Sequence, residues 1–302
     1  MNKAAPRSID AYLKQLHEEL ADADPSLVQD ALYDAEEYLR AEIAAHPGKS
    51  EADVLELIAS TYGAPDEVAA AYRETEAKVA AALQTPRPAQ GGGAWRRFFR
   101  VYSDPRAYAS LFFMFLALAL GIFHFVFAIV GLSLSAGFAI LIIGVPFFLA
   151  FIGLTRVIAL ADGRLVEAIS GERMPRRPVH PGPKQSFWTR IVEMLRDART
   201  WTTLAYFVLA LPLGIAYFTV AVTGLSVGLA LTFAPLFEIA RRMGLVEIST
   251  DLIIEPAWLA SAFMLPVCVI AGVLLVTLLM HAARFVGRVH ARFAKHMLVI
   301  GS

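Results

Sequence analysis

Residues 107–130 read AYASLFFMFLALALGIFHFVFAIV and contain no Asp, Glu, Lys or Arg. A helix of about 20 predominantly apolar residues can cross the hydrocarbon core of a bilayer, because its backbone hydrogen bonds are satisfied within the segment. Three more charge-free stretches are long enough to do the same, at about 134–155, 203–222 and 256–281. The sequence therefore predicts a polytopic α-helical membrane domain with about four spans.

Two intervals in this region need a separate interpretation. Only Gly131-Leu132-Ser133 separates the first predicted span from the second, which predicts a tight turn and a transmembrane hairpin. Residues 225–237 are also apolar, but 13 residues are few for a crossing, so a re-entrant or interfacial segment is favoured there over a fifth span.

Charge divides the chain into two regions. Residues 1–85 hold 17 of the 27 acidic residues but 7 of the 27 basic ones, although the net charge of the whole chain is zero. Apolar stripes at helical spacing in this acidic region predict four short helices that pack on one another. The predicted fold class is therefore all-α, with an acidic helical domain over 1–84, a Pro- and Gly-rich linker over 85–94 and a membrane domain over 95–302.

Basic residues predict the orientation of the spans. Arginines and lysines cluster before the first predicted span, between the second and the third, and after the fourth. Because positively charged loops remain in the cytoplasm, four spans with both termini cytoplasmic are expected. The N-terminal residues are polar and acidic, unlike a secretory signal, so the acidic domain is also expected in the cytoplasm.

The membrane domain contains an internal repeat. Residues 95–134 align without a gap on 188–227, with roughly two positions in five identical. Matched positions include Asp104 with Asp197, Arg106 with Arg199, Gly121 with Gly214, the two Gly-Leu-Ser triplets at 131–133 and 224–226, and Arg156 with Arg284. The halves, 95–187 and 188–302, should cross in the same direction, which predicts two hairpins about a pseudo-twofold axis along the membrane normal.

Charged pairs at the start of two spans are candidate signalling or structural residues. Asp104 with Arg106, and Asp197 with Arg199, lie just before the first and third predicted spans. They could link a cytoplasmic signal to the membrane helices, or they could act as a helix cap and an interfacial anchor. Their recurrence in both copies favours a shared structural role.

His124 is the ionisable residue deep within a predicted span, and such residues are functional candidates. Its repeat counterpart is Tyr217, so the position could instead require an aromatic ring that hydrogen-bonds between helices. A proton relay would need an acidic partner, which favours the packing interpretation. Glu238 and Glu255 bracket the loop expected on the outer face, where they could bind a cation or a peptide or simply be solvated.

No pattern typical of an enzyme or a cofactor site stands out. The chain lacks a phosphate-binding loop, kinase motifs and a His-Glu-x-x-His zinc motif. Cys268 is the only cysteine and lies in an apolar run, so neither a disulfide framework nor a thiolate metal cluster is expected. The basic residues flank apolar runs and form no helical stripe, which argues against nucleic-acid binding. We expect a non-enzymatic protein without a cofactor or a metal.

Motifs in the membrane region carry a family resemblance. They are Asp197-x-Arg199-x-Trp201, Leu211-Pro-Leu-Gly-Ile215, Gly224-Leu-Ser226, Ala234-Pro235-Leu236 and His290-Ala-Arg-Phe-Ala-Lys295. With these motifs, residues 95–302 resemble the bacterial putative sensor domain, a membrane module often found ahead of a histidine kinase. The resemblance implies a multi-pass protein of the bacterial cytoplasmic membrane, and here an output that is not a kinase activity.

The acidic region carries a second resemblance. Tyr12-Leu13-x-x-Leu16 and Tyr62-Gly63-Ala-Pro-Asp-Glu-Val-Ala69 are similar to motifs of the HAAS signalling domain. Membrane proteins with that domain are commonly paired with PadR-type transcriptional regulators. The resemblance implies a cytoplasmic protein partner, a PadR-type regulator or a kinase, that binds through residues 1–84.

Three functions remain open on the sequence alone. The first is a sensory or regulatory membrane protein that relays a membrane or extracytoplasmic signal to the cytoplasmic partner through a shift between two arrangements of the hairpins. The second is a small transport or export component, for which flux should depend on His124. The third is a membrane scaffold, which would form homo-oligomers.

Overall fold

The computed structural model describes residues 6–83, 93–138, 144–175, 177, 192, 195–245, 261 and 263–299. Within these residues the regular secondary structure is helical throughout, which confirms the all-α fold class. The helices are α1 (Ile9–Glu19), α2 (Pro25–Ala45), α3 (Glu51–Thr61), α4 (Pro65–Leu83), α5 (Ala94–Phe99), α6 (Pro105–Phe138), α7 (Gly144–Ser170), α8 (Ala198–Arg242) and α9 (Met264–Leu298), with a 3₁₀ turn at Arg100–Ser103. The predicted linker, 85–94, lies almost wholly outside the described residues.

Short polar side chains start the first three helices. The hydroxyl of Ser8 accepts a hydrogen bond from the N–H of Ala11, and the Asp24 carboxylate accepts one from Ser26, with Pro25 in the first position of α2. Ser50 and Asp53 cap each other's backbone N–H groups at the start of α3. These contacts satisfy donors that a helix leaves unpaired in its first turn.

The four N-terminal helices share one apolar core. Helix α1 packs on α2 and α4, and α2 packs on α3 and α4. The core contains Tyr12, Leu16, Leu20, Leu39, Val54 and Ile58, each almost fully buried. The hydroxyl of Tyr12 donates a hydrogen bond to the carbonyl of Gly63, whose φ of +108° is a conformation that favours glycine. Burial, followed by the nearby acidic groups, raises the pKa of the Tyr12 hydroxyl.

Helices α6, α7, α8 and α9 are each long and apolar enough to cross a membrane, which confirms the prediction of about four spans.

The boundaries of these helices differ from the predicted span boundaries. The turn predicted at Gly131-Leu132-Ser133 is wrong, because α6 continues through it to Phe138 and α7 starts only at Gly144. A glycine costs a helix about 1 kcal/mol, whereas unpaired backbone groups in lipid cost several, so the helix is retained.

Residues 225–237 are part of the continuous helix α8, so their interpretation as a re-entrant segment is also wrong, whereas an interfacial position stays a prediction. With 45 residues and a rise of about 1.5 Å per residue, α8 is more than twice as long as a hydrocarbon core about 30 Å thick. Part of α8 must therefore extend beyond that core. The predicted start of the fourth span at 256 lies outside the described residues, which show α9 from Met264.

Contacts group the chain into two compact units. The first contains residues 1–90, 134–204 and 293–302, and the second contains 91–133 and 205–292. The first unit therefore combines the acidic helices with α7 and with the end of α9. The predicted domains follow the chain instead, and their boundaries stay a prediction.

Glycines allow the helices of the second unit to approach closely. A Cβ placed on Gly121 of α6 would lie 2.5 Å from the carbonyl oxygen of Ala210 in α8. A Cβ placed on Gly214 of α8 would lie at least as close to the carbonyl oxygen of Ala117 in α6. In the repeat alignment Gly121 matches Gly214 and Ala117 matches Ala210, so the contact is reciprocal. A glycine also allows α9 to approach α6 closely, since Gly287 of α9 lies against Ser110 of α6.

We predict that Gly121→Ala lowers the stability of the protein by about 1–3 kcal/mol, because the methyl group would overlap a backbone carbonyl. Thermal unfolding in detergent measures this. Gly153→Ala in α7 is the matched control, since a Cβ there meets no atom within 4 Å. It should leave stability unchanged or raise it by about 0.5–1 kcal/mol through helix propensity. Equal effects of the two substitutions would contradict the close α6–α8 contact.

Candidate functional site

The two predicted Asp/Arg motifs have the same local structure. A carboxylate oxygen of Asp104 accepts a hydrogen bond from the N–H of Arg106 at 3.0 Å, and Asp197 accepts one from Arg199 at the same distance. The aromatic side chain two residues after each arginine donates a hydrogen bond to an earlier backbone carbonyl. The hydroxyl of Tyr108 donates to the carbonyl of Tyr102, and the indole N–H of Trp201 donates to the carbonyl of Leu195. Each aspartate thus caps a long helix, as one of the two interpretations predicted.

Each of these aspartates also pairs with an arginine of another long helix. Asp104 lies 3.0 Å from Arg284 of α9, and Asp197 lies 3.2 Å from Arg156 of α7. In the repeat alignment Asp104 corresponds to Asp197 and Arg284 to Arg156. Both ion pairs therefore join an aspartate of one predicted copy to an arginine of the other.

Helix α2 of the acidic domain is bound by the residues that follow α7. Arg173 lies between the carboxylates of Asp30 (3.1 Å) and Glu76, and the side chains of Arg173 and Asp30 are only 18% and 7% exposed. The backbone N–H of Arg177 donates to Asp30 at 2.8 Å, and its guanidinium pairs with Asp34 at 2.8 Å. We call these five residues the charged junction.

Polar contacts extend the charged junction to two further helices. Gln29 of α2 donates to the carbonyl of Arg177 and accepts a hydrogen bond from the guanidinium of Arg199 in α8 at 3.0 Å. The ammonium of Lys295 in α9 donates to Asp24 at 2.6 Å. Partial burial would raise the pKa of Asp24, but the hydrogen bonds from Lys295 and Ser26 outweigh it and hold that pKa below its usual value. The contact is thus fully present near neutral pH and is lost only in strong acid.

A cavity of about 90 Å³ lies beside the charged junction in the same unit. Its wall is mostly apolar, formed by residues of α7, of the segment after it and of the end of α9. Its polar groups include Gln29, Arg156, Asp197, Arg199 and Thr200. Asp197 and Arg199 of the second predicted motif therefore line this cavity together with Arg156, the ion-pair partner of Asp197.

Comparisons with known proteins identify the membrane region. A family profile described as "Putative sensor" matches residues 113–298, more than half of the chain. This chain belongs to the putative sensor family. Comparisons with curated proteins and with solved structures gave no match.

The sensor match contains Asp197, Arg199 and most of the cavity wall, whereas the acidic helices lie before it. The sequence had indicated Arg173, Arg177 and Lys295 as markers of orientation or as part of a family motif, and it had not indicated Asp30 or Glu76 at all. The partners of Arg173 lie about a hundred or more residues away in sequence, and periodicity carries no signal for such a pairing.

His124 and Tyr217 both lie in the second unit of this sensor protein. The buried ring of His124 stacks on Phe207, with centroids 4.5 Å apart and planes within 5°. Tyr217 lies edge-on to His290, whose Nε2 is 3.3 Å from the hydroxyl of Tyr206. These are the contacts of aromatic packing between helices. Sequence reasoning did not single out His290 or Tyr206 as site residues.

Glu238 was predicted to lie at the edge of a loop, but in the structure it is part of a helix. It lies in the last turns of α8, where its carboxylate accepts hydrogen bonds from Arg241 and Arg242. These arginines occupy the oxygens that a cation would need. Glu255 lies outside the described residues.

Neither a metal site nor a nucleophile elbow is formed by the residues that the structure describes. No group of three or more His, Cys, Asp or Glu side chains there could hold a metal ion. Residues 224–228 read Gly-Leu-Ser-Val-Gly, which formally matches a nucleophile elbow. That motif requires a strand, a sharp turn and a helix, whereas these residues lie inside α8.

We predict that Arg173→Gln opens the charged junction. The change removes the guanidinium that pairs with the buried carboxylate of Asp30 and with Glu76, and loss of one member of a buried ion pair costs about 3–5 kcal/mol. Hydrogen exchange of residues 25–45 in nanodiscs measures the effect as faster exchange. Arg177→Gln is the matched control, since this half-exposed arginine should contribute only about 0–1 kcal/mol. Equal exchange in the two variants would contradict the assignment of Arg173 as the central residue.

Proposed function

We propose that this chain is a membrane-embedded sensory protein without enzymatic activity that relays a change in the membrane or outside the cell to a cytoplasmic partner. The relay runs through the charged junction. The acidic helices, similar to a HAAS signalling domain, bind the partner when the junction is open. The single observation that carries the proposal is the ion-paired contact of α2 with the residues after α7.

The geometry of the junction supports a relay. Three candidate spans contribute to it: α7 through Arg173 and Arg177, which follow it, α8 through Arg199 and α9 through Lys295. A small movement of any of these helix ends would change the distances within ion pairs that are sensitive to position. Packed interfaces of this kind tend to have two discrete arrangements instead of deforming continuously.

The charges of α2 support a partner-binding role. Asp30, Asp34 and Glu76 are engaged by Arg173 and Arg177 in this arrangement. When the junction opens, the same carboxylates become available to basic groups of another protein. We propose a PadR-type transcriptional regulator as that partner, on the resemblance of the N-terminal region to HAAS domains.

The proposed location is the bacterial cytoplasmic membrane, with both termini in the cytoplasm. The basic clusters before α6, after α7 and at the end of α9 support it through the positive-inside rule. The contacts of α2 with Arg173 and Arg177, and of its N-cap Asp24 with Lys295, are consistent with this orientation, since they require these basic residues to be on the same side as the acidic helices. The repeat, which we propose on the sequence alignment, is supported by the reciprocal Gly121–Ala210 and Gly214–Ala117 contacts.

The relay predicts that an open junction captures more partner. Full-length protein carrying Arg173→Gln should co-purify at least several-fold more of a transcriptional regulator than the wild-type protein does. The transcripts under that regulator should change in the same cells. The exposed Arg288→Gln is the control, because it removes one positive charge from a residue that is not part of the charged junction. Equal capture by all three proteins, with unchanged transcripts, would contradict the proposal.

A further inference from the structure

The cavity beside the charged junction combines an apolar wall with a cationic end. Apolar residues of the wall include Ile152, Ala159, Leu160, Met174 and Leu298. We propose that this cavity binds the anionic headgroup of an amphiphile, a carboxylate or phosphate that carries an alkyl chain. The inference deepens the proposed function, because it names the chemical class of the signal.

The charges of the cavity favour an anion. Both oxygens of the Asp197 carboxylate are already used, one by the N–H of Arg199 and the other by the guanidinium of Arg156. A cation would therefore find this carboxylate occupied. Each guanidinium has five N–H donors, and the side-chain contacts that the structure describes use one on Arg156, to Asp197, and one on Arg199, to Gln29. The polar end thus offers hydrogen-bond donors and a net positive charge.

Thr200 provides a second, independent observation. It lines the cavity and is 5% exposed, and its hydroxyl has no hydrogen-bond partner within the described part of the chain. A buried hydroxyl without a partner is destabilising, and native proteins generally satisfy such groups. An anionic oxygen in the cavity could accept its hydrogen bond together with those of the arginines.

The apolar wall explains why the ligand should carry an alkyl chain. A free inorganic anion would lose its hydration against this wall and gain no apolar contact in return. A headgroup with attached methylenes gains hydrophobic burial along the same surface. The volume of about 90 Å³ accommodates a headgroup with its first carbons, and the cavity is partly open, so the remaining chain can extend outward. Either a bilayer phospholipid or a free amphiphile has this chemistry.

The test uses the full chain in phosphatidylcholine nanodiscs, with octyl phosphate as the probe and octanol as its uncharged counterpart. Empty nanodiscs give the background of partitioning into lipid. Isothermal titration should show saturable binding of octyl phosphate, with octanol at least about tenfold weaker because the charge-assisted hydrogen bonds are lost. Native mass spectrometry tests the bilayer source, by retention of phosphatidylglycerol over phosphatidylcholine.

Three variants identify the site. Arg199→Gln should weaken octyl phosphate binding by about tenfold, and the isosteric Thr200→Val should weaken it several-fold without altering the fold. Ala159→Trp should fill the cavity and abolish binding while it leaves the charges in place. Arg196→Gln is the matched control, since this exposed arginine lies one turn before Arg199 and does not line the cavity.

If phosphatidylglycerol is retained, the ligand is a bilayer lipid. If octyl phosphate binds but phosphatidylglycerol is not retained, the ligand is a free amphiphile. Either result supports the site. The site is overturned if neither probe binds, if octanol binds as tightly as octyl phosphate, or if Ala159→Trp and Arg199→Gln bind like the control. Binding is measured directly and requires no partner. A ligand that binds normally without any change in regulator capture would contradict the relay and leave the site intact.

Discussion

Arg173 lies between Asp30 and Glu76 with little exposure to solvent, and the position of the acidic helices depends on this contact. Charges buried in this way are stable only as a paired set, because a lone buried carboxylate or guanidinium loses its hydration without compensation. We therefore expect the contact to be either complete or open. Helix α2 carries it because its start is fixed by Asp24 and Pro25, and because the apolar side of the helix is committed to the core with α1, α3 and α4.

The ends of the long helices are fixed by a second set of charges. Asp104 and Asp197 each cap a helix and bind an arginine of another one, so the start of α6 is tied to α9 and the start of α8 is tied to α7. Arg199, which follows one of these caps, reaches Gln29 in α2. The residue two positions after a predicted cap thus also connects the sensor region with the charged junction, and Asp197, Arg156, Arg199 and Gln29 all line the cavity.

Much of this fold could be predicted from the sequence, and the reasons for the exceptions are specific. Four spans follow from charge-free stretches such as 107–130, and the four short N-terminal helices follow from apolar stripes at helical spacing. The turn predicted at Gly131-Leu132-Ser133 does not exist, because unpaired backbone groups in lipid cost more than a glycine costs within a helix. Sequence also indicated Asp197 and Arg199 at the site, but it could not pair Arg173 with Asp30. Such a pairing depends on the tertiary fold, and neither composition nor spacing encodes it.

The distance between α2 and α7 in a lipid bilayer tests the central claim most directly. Spin labels at Glu37→Cys and Ala168→Cys, with Cys268 replaced by alanine, lie at exposed positions of the same compact unit. Pulsed electron paramagnetic resonance in nanodiscs should give one narrow distance distribution, which broadens when Arg173→Gln is added. A broad distribution in the otherwise unchanged protein, or one that Arg173→Gln does not alter, would contradict the account.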